Sequence, residues 1–196
     1  MIAALYDIHG NLTALDAVLA EIPEEATIVV GGDVCFRGEQ PAETLERLRG
    51  LGDRVVWVRG NRDRDLTTEE HVSAEQAAFL RGLPETAQID RVLYCHASPR
   101  NDMDIFTERT PEERIAFLFE DVDADVVVCG HTHMQFERTI AGKRVINSGS
   151  VGAPFEERPG AYWMLDLEHR FTPYEGAPAP EHTREETLVE YTRIGL

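Results

Sequence analysis

Seven side chains that could bind a metal ion through oxygen or nitrogen stand in one kind of place in this chain, directly after an apolar run: Asp7 and His9, Asp33, Asn61, His96, and His131 with His133. A carboxylate and an imidazole two residues apart at a strand end can point the same way, so Asp7 and His9 can reach one ion. A single Asp-x-His is equally compatible with an ordinary turn. The repetition carries the weight, because four of the seven histidines stand at these run ends. In three of the five places a glycine precedes the first ligand (Gly32, Gly60 and Gly130), where a missing side chain lets backbone turn sharply and approach an ion or a phosphate. The donors are oxygen and nitrogen with no required thiolate, a set suited to manganese, iron, zinc, nickel or magnesium rather than to a structural zinc-thiolate site. Seven ligands are too many for one ion and suit two divalent ions sharing a carboxylate, roughly 3.5 to 4 Å apart, the arrangement used for displacement at phosphorus.

The elements that must position these residues follow from periodicity. Ile2 to Tyr6, Thr27 to Val30, Arg54 to Val58, Val92 to Cys95 and Asp125 to Cys129 read as buried strands. Helices are expected from Asn11 to Ile22, from Pro41 to Gly50, and from Ala74 to Arg81 behind the capping box Ser73 to Gln76. A second capping box, Thr110 to Glu113, predicts a helix that buries Ile115 and Leu118 or Phe119. Beyond His133 the helices give way to turn-bounded stretches, Gln135 to Ile140, Arg144 to Ile146, Ala161 to Leu167 and Arg170 to Pro173, which read as antiparallel strands. Alternating strand and helix followed by strands implies an α/β domain with a mixed sheet closed over a second sheet and helices outside. Ligands in such folds gather beyond the carboxyl ends of the strands.

At 196 residues the expectation is one domain: residues 1–174 as its body, and 175–196 as a tail of the same domain, linker-like from Glu175 to Glu181 and then a short helix from about Thr183 to Tyr191. The net charge of −17 repels polyanions and argues against duplex nucleic acid as a partner, so a phosphorylated substrate must be held by local positive charge. There is no run long enough to span a bilayer and no signal-peptide pattern, and Cys35, Cys95 and Cys129 make no disulfide framework; a cytoplasmic protein without a membrane partner is expected. Cys35, two residues after the acidic motif residue Asp33, is the cysteine to watch.

Asp7-x-His9, Gly32-Asp33, Gly60-Asn61, His96 and Gly130-His131-x-His133, in that order, resemble the signature of the calcineurin-like metallophosphoesterases. The string DIHGN from Asp7 to Asn11 and the segment from Asn147 to Val151 (NSGSV) are similar to the small single-domain bacterial members, and the likeness runs over about residues 1 to 167. It implies a four-layer αββα sandwich, two mixed β-sheets flanked by helices, with a dinuclear site. The first ion would take Asp7, His9, Asp33 and His133, the second Asp33, Asn61, His96 and His131, with Asp33 bridging and manganese the leading metal. The implied reaction is hydrolysis of a phosphate ester by in-line attack of a hydroxide bridging two ions, with Asp33, Asn61, Arg62 and His96 in the catalytic set. The implied substrate is a phosphorylated small molecule or nucleotide, contacted by Arg37, Arg62, Asn61 and His96.

Two departures from the family pattern bear on mechanism. Members that cleave phosphomonoesters efficiently usually have a histidine after the metal-binding asparagine, where this chain has Arg62. Guanidinium stays protonated, so Arg62 can offset phosphoryl charge but is a poor proton donor, which favours phosphodiesters or good leaving groups. In the segment GDVCFRG, Phe36 stands where the protein-phosphatase branch has aspartate, while Arg37 is retained as a phosphate contact or a surface arginine. Phosphomonoesterase or protein-phosphatase activity and a non-catalytic, metal-binding scaffold for protein partners are the alternatives. Asp63 is expected to orient Arg62, and Arg100 and Asn101 either to shape the pocket or, for Arg100, to pair with an acid. His71, His169 and His182 are expected to be surface or packing residues.

Overall fold

The computed structural model describes residues 1–66, 71–179 and 182–195. Its elements are β1 (Ile2–Leu5), α1 (Leu12–Leu19), β2 (Thr27–Val30), α2 (Pro41–Arg49), β3 (Val55–Trp57), α3 (Asn61–Asp65), α4 (Ala74–Arg81), β4 (Thr86–Ile89), β5 (Val92–Cys95), α5 (Glu112–Ile115), β6 (Val126–Cys129), β7 (Gln135–Ile140), β8 (Lys143–Ser148), β9 (Ala161–Leu165), β10 (Glu168–Thr172) and α6 (Arg184–Ile194).

Period-two alternation inside the apolar runs decides how these elements stack. In β1, Ala3 and Leu5 pack with α1, α2 and α4 through Leu15, Val18, Leu45 and Leu80. Ala4 and the following Tyr6 face the other way, against Val128, Ile146 and Tyr94 of a second sheet. That second sheet turns Val127, Cys129 and Val145 outward onto Phe106, Ile115 and Phe119. Three apolar interfaces therefore separate four layers, helix, sheet, sheet and helix, which is why these strands read as continuous apolar runs.

Both sheets have five strands and both are mixed, in the orders β10-β9-β1-β2-β3 and β4-β5-β6-β8-β7. β1, β2 and β3 run parallel, as do β5, β6 and β8; β9 pairs antiparallel with both β1 and β10 in the first sheet, and β4 and β7 are antiparallel edge strands of the second. Parallel neighbours bring their carboxyl ends to a common edge, and the candidate ligands sit there.

Several expected elements differ in the structure. β4 and α3 carry no apolar periodicity and were not expected: β4 is a half-exposed edge strand paired to β5 across a tight turn with Asp90 at φ 53°. The Thr110 capping box does not form, because the Thr110 hydroxyl accepts the amide of Thr107 at 2.9 Å. The helix then starts at Glu112 and tightens into a 3₁₀ turn over Ala116–Leu118, although Ile115, Leu118 and Phe119 are buried as expected. In the tail, Pro180 and Glu181 of the linker-like stretch lie outside the described residues. α6 does form behind a capping box, with the Thr183 hydroxyl accepting from the Glu186 amide at 3.2 Å and the Glu186 carboxylate accepting from the Thr183 amide at 2.9 Å. No helix among the described residues is long and apolar enough to cross a membrane.

Buried polar bonds join the two sheets inside this packing, among them those from the Ser148 hydroxyl to the carbonyl of Ala4 at 3.2 Å and from the Tyr6 hydroxyl to the carbonyl of Val128 at 3.0 Å. Tyr6→Phe leaves that buried carbonyl short of a donor and should cost about 1 to 2 kcal/mol in urea unfolding of metal-stripped protein. An unchanged midpoint with an unchanged slope would show that the bond contributes nothing.

Candidate metal centre

The seven candidate ligands follow the carboxyl ends of parallel strands: Asp7 and His9 after β1, Asp33 after β2, Asn61 opening α3 after β3, His96 after β5, and His131 and His133 after β6. Five of them, Asp7, His9, Asp33, His131 and His133, hold left-handed backbone with φ between 51° and 66°. That conformation costs side-chain-bearing residues about 1 to 2 kcal/mol each and persists only where neighbours hold it. Here the holders are loop-to-loop amide bonds: Asp7 N–H to Gly32 O, His9 N–H to Asp33 O and Gly10 N–H to Val34 O, at 2.7 to 3.1 Å. Glycine matters at two points. A Cβ on Gly32, itself at φ 97°, would lie 2.5 Å from Gly60 N, and one on Gly130 would lie 2.6 Å from Asp7 Oδ2.

The side chains converge in two groups, Asp7 with His9 and His133, and Asp7 with Asp33 and His96. Asp7 is completely buried; Oδ2 accepts the His131 amide at 2.8 Å, while Oδ1 has no hydrogen-bond partner among the described residues. Around Oδ1 lie Nε2 of His133 at 3.2 Å, of His9 at 3.8 Å and of His96 at 4.0 Å. Each of these rings gives its Nδ1 proton to a backbone carbonyl: His9 to Phe36 at 3.0 Å, His133 to Ala153 at 2.6 Å and His96 to Gly31 at 2.9 Å. Their Nε2 lone pairs are left facing inward, the tautomer a metal ligand needs. Nε2 of His9 and Nε2 of His133 are only 3.1 Å apart, so two lone pairs meet unless a cation or a proton lies between them. Together with the orphaned Asp7 oxygen, this contact fits a divalent cation at the first group. The second group is completed by Asn61 Oδ1, 3.0 Å from His96 Nε2, and the His131 ring centre lies 5.1 Å from that of His96. Asp7, rather than Asp33, is the carboxylate common to both groups in this geometry.

Electrostatics agree with this picture. Burial pushes Asp7 up, but the imidazoles of His133, His96 and His9 outweigh it and hold the carboxyl well below its usual range. Burial raises Asp33 to about 7, with His96 opposing. Desolvation lowers His9 and His131 to about 3, so both are neutral at physiological pH and able to ligate. In His96 and His133 burial acts downward, yet the facing carboxylates win and both are raised.

Three supporting features were not foreseen in these roles. Asp63 does not orient Arg62. It is buried beneath the centre, its carboxylate accepting the amides of Asp33 at 2.8 Å, Val34 at 3.0 Å and Gly60 at 2.9 Å, and so joins the loops after β2 and β3. The segment from Asn147 to Ser150 is a polar clamp: Asn147 Nδ2 donates to Gly130 O at 2.7 Å, and the Ser150 hydroxyl donates to Asp7 O at 2.7 Å. Phe155 lies stacked on His133 at 5.0 Å between ring centres. A signal for the first existed in GNRD, where a carboxylate three residues after glycine can cap the turn.

Arg37 and Arg62 are exposed at the rim, their guanidinium groups 5.4 and 4.5 Å from the centre of the Phe36 ring, and a cavity of about 500 Å³ opens beside His9 and Arg37. Arg100 sits over Phe117 rather than on an acid, and Asn101 caps the amides of Met103 and Asp104. Cys35 is buried against Pro41 with its thiol pushed far up by desolvation. His71 and His182 are exposed, and His169 donates to Asn147 O at 2.9 Å.

Asp63→Asn replaces an oxygen that faces an amide with an NH₂ group, leaving one buried donor unpaired. It should lower stability by about 1 to 3 kcal/mol and weaken manganese binding, as read by denaturation and by calorimetric titration. Manganese affinity that is fully retained would show that the loop geometry does not depend on this carboxylate.

Comparison with known proteins bears on the whole arrangement. The Escherichia coli (strain K12) phosphodiesterase YfcE is 30% identical over 173 residues, covering 82% of this chain and 84% of that protein. The symmetrical bis(5'-nucleosyl)-tetraphosphatase of Pectobacterium carotovorum is 35% identical over 82 residues, 40% of this chain and 27% of that protein. A metallophosphoesterase crystal structure from Sphaerobacter thermophilus superposes with a TM-score of 0.76 at 23% identity, covering 100% of this chain and 99% of that one, which shows the shared fold. The family model of the calcineurin-like phosphoesterase superfamily domain matches residues 1–170, and on that match and the identity to YfcE the chain belongs to this superfamily of phosphoesterases.

Proposed function

We propose that the protein is a phosphoesterase dependent on two divalent cations, manganese first among them, acting in the cytoplasm on phosphodiesters or on esters with good leaving groups. The observation that carries this is the 3.1 Å approach of the His9 and His133 Nε2 atoms beside the orphaned Asp7 oxygen, a set of inward lone pairs that asks for a cation. His9 and His133 would serve the first ion and Asn61, His96 and His131 the second, with the carboxylates of Asp7, common to both groups, and of Asp33 between them. Bound there, such ions lower the pKa of a shared water and offset charge on phosphoryl oxygens. Family membership supports metal dependence, and the names of YfcE and of the tetraphosphatase support a diester or nucleotide-type phosphoester as substrate. Three free, buried cysteines support a reducing compartment.

The chain's own residues set the preference. Asn61 turns inward from the first turn of α3, while Arg62, the next residue, points to the rim. There a guanidinium can hold a phosphoryl oxygen but cannot give the leaving group a proton. Arg37 adds a second fixed positive charge beside the cavity next to His9, which can take one ester substituent.

With manganese added, turnover should fall in the order aryl diester, aryl monoester, alkyl monoester. Arg62→His should raise alkyl monoester turnover by roughly tenfold or more. The leaving-group argument fails if the alkyl monoester is already the fastest substrate of the unaltered enzyme.

Acid should weaken metal binding in a defined direction. Below about pH 7 Asp33 carries a proton that an entering cation must displace, and His96 and His133, held above their ordinary value by the facing carboxylates, carry theirs, so manganese affinity should fall as pH drops through the neutral range. Asp33→Asn removes one of these displaced protons and should make the dependence shallower between about pH 6 and about pH 8 while binding manganese more weakly throughout. Calorimetric titration across that range checks both, and an identical pH profile in the variant would remove Asp33 from the ligand set.

A further inference from the structure

Aromatic rings form a continuous run along the lip of the centre. From Phe36 to His9 the ring centres are 6.2 Å apart, from His9 to His133 4.8 Å, from His133 to Phe155 5.0 Å, and from Phe155 to Tyr191 6.4 Å. Phe155 is nearly parallel to His133, at 18°, and Tyr191 meets Phe155 edge-on at 76°. Phe36, Phe155 and Tyr191 are half-buried, unlike the fully buried core aromatics Tyr6 and Trp163, so part of each ring remains open to solvent. Half-buried rings beside a phosphate-binding position present flat apolar surface where the organic part of an ester must lie.

The last ring comes from α6, which begins beyond residue 170, where the family match ends. Ionic contacts hold this helix to the body: Arg184 reaches Glu156 at 2.5 Å, Glu108 at 3.0 Å and the Gln135 carbonyl at 2.9 Å, and Arg109 grips Glu185 through two nitrogens. Leu188 is buried beneath it. At the other end of the run, the guanidinium groups of Arg37 and Arg62 lie over Phe36. The run therefore has cations at one end, for phosphate oxygens, and an aromatic ring at the other.

We propose that this ledge receives an aromatic ring of the substrate, as an aryl or nucleobase-bearing phosphoester presents, and that Tyr191 is its specificity-determining contact. The inference rests on the phosphoesterase reading for the position of the phosphate, and it makes a segment outside the family match responsible for choosing the ester group. Ring-on-ring contact acts through the π-face and the area buried, so the hydroxyl of Tyr191 is dispensable and its ring is not.

The test measures affinity by calorimetry in manganese-loaded protein, apart from turnover. Two matched pairs of probes are compared: phenylphosphonate with methylphosphonate, and adenosine 5′-phosphate with ribose 5-phosphate. The aromatic member of at least one pair should bind on the order of tenfold tighter, and which pair shows it tells a directly attached aryl group from a base carried on ribose. Tyr191→Ala should bring that ratio close to one, Tyr191→Phe should keep it, and Tyr191→Leu, which keeps apolar volume without a ring, should reduce it should Tyr191→Ala fold poorly. Absence of binding, ratios near one in the unaltered protein, or ratios that the Ala and Leu variants leave intact overturn the ledge. Turnover assayed in parallel separates the two ideas. Ester hydrolysis without an aromatic preference keeps the enzyme and removes the ledge, while a Tyr191-dependent preference without hydrolysis of any ester keeps the ledge and removes the reaction.

Discussion

The buried carboxylate of Asp7 is the constraint on which the rest of this structure depends. A carboxylate with no solvent contact is costly unless positive charge and hydrogen bonds surround it. One oxygen is satisfied by the His131 amide, and the other faces three imidazole nitrogens within 4.0 Å. Those imidazoles come from three different strand ends, so balancing a single charge brings the two sheets together at one edge. The same charge holds His133 and His96 above their ordinary pKa while desolvation pushes His9 down to about 3.

Aiming these side chains inward uses backbone conformations that ordinary residues avoid, and the surrounding polar groups exist to hold them. Asp63 gathers three amides from two loops, and the Asn147 to Ser150 clamp ties β1 to the loop carrying His131. None of these groups points at the place where an ester would sit. They act by fixing φ and ψ at Asp7, Asp33 and His131, the kind of outer support on which ligand geometry depends. The polar bonds beneath the centre and the strained residues above it are two sides of one arrangement.

The parts of this arrangement visible in the sequence are those with a local period. Continuous apolar runs in Ile2 to Tyr6 and in Val126 to Cys129 mark buried strands, and the residues that follow name the donors, because parallel strands end at one edge. β4 and α3 escaped because neither carries apolar periodicity: Thr86 to Ile89 is held by pairing with β5, and Asn61 to Asp65 by the turn that Asp63 caps. The Thr110 box misled for a related reason, since its hydroxyl found a nearer amide at Thr107. Asp63 was read beside Arg62 and not beneath the centre, and Tyr191 was not read at the proposed ledge, because their contacts are defined by partners 29 and 30 residues away for Asp63, and by Phe155 on another element for Tyr191.

The two departures from the family pattern, Arg62 and Phe36, meet in space and explain one another. An aspartate at position 36 would stand beside both Arg37 and Arg62 and draw their charge into ion pairs. With phenylalanine there, both guanidinium groups rest against its ring, and neither pairs with a carboxylate among the described residues. Contact with a π-face restrains an arginine while leaving its hydrogen-bond donors unspent. Two cations with unspent donors thus stand at the mouth of a centre in a protein whose net charge is −17, which otherwise repels phosphorylated molecules at long range. Under the proposed reading, an arginine in place of the histidine acid would give up proton donation and add anion capture, and a substrate whose leaving group departs unprotonated would lose nothing by the exchange.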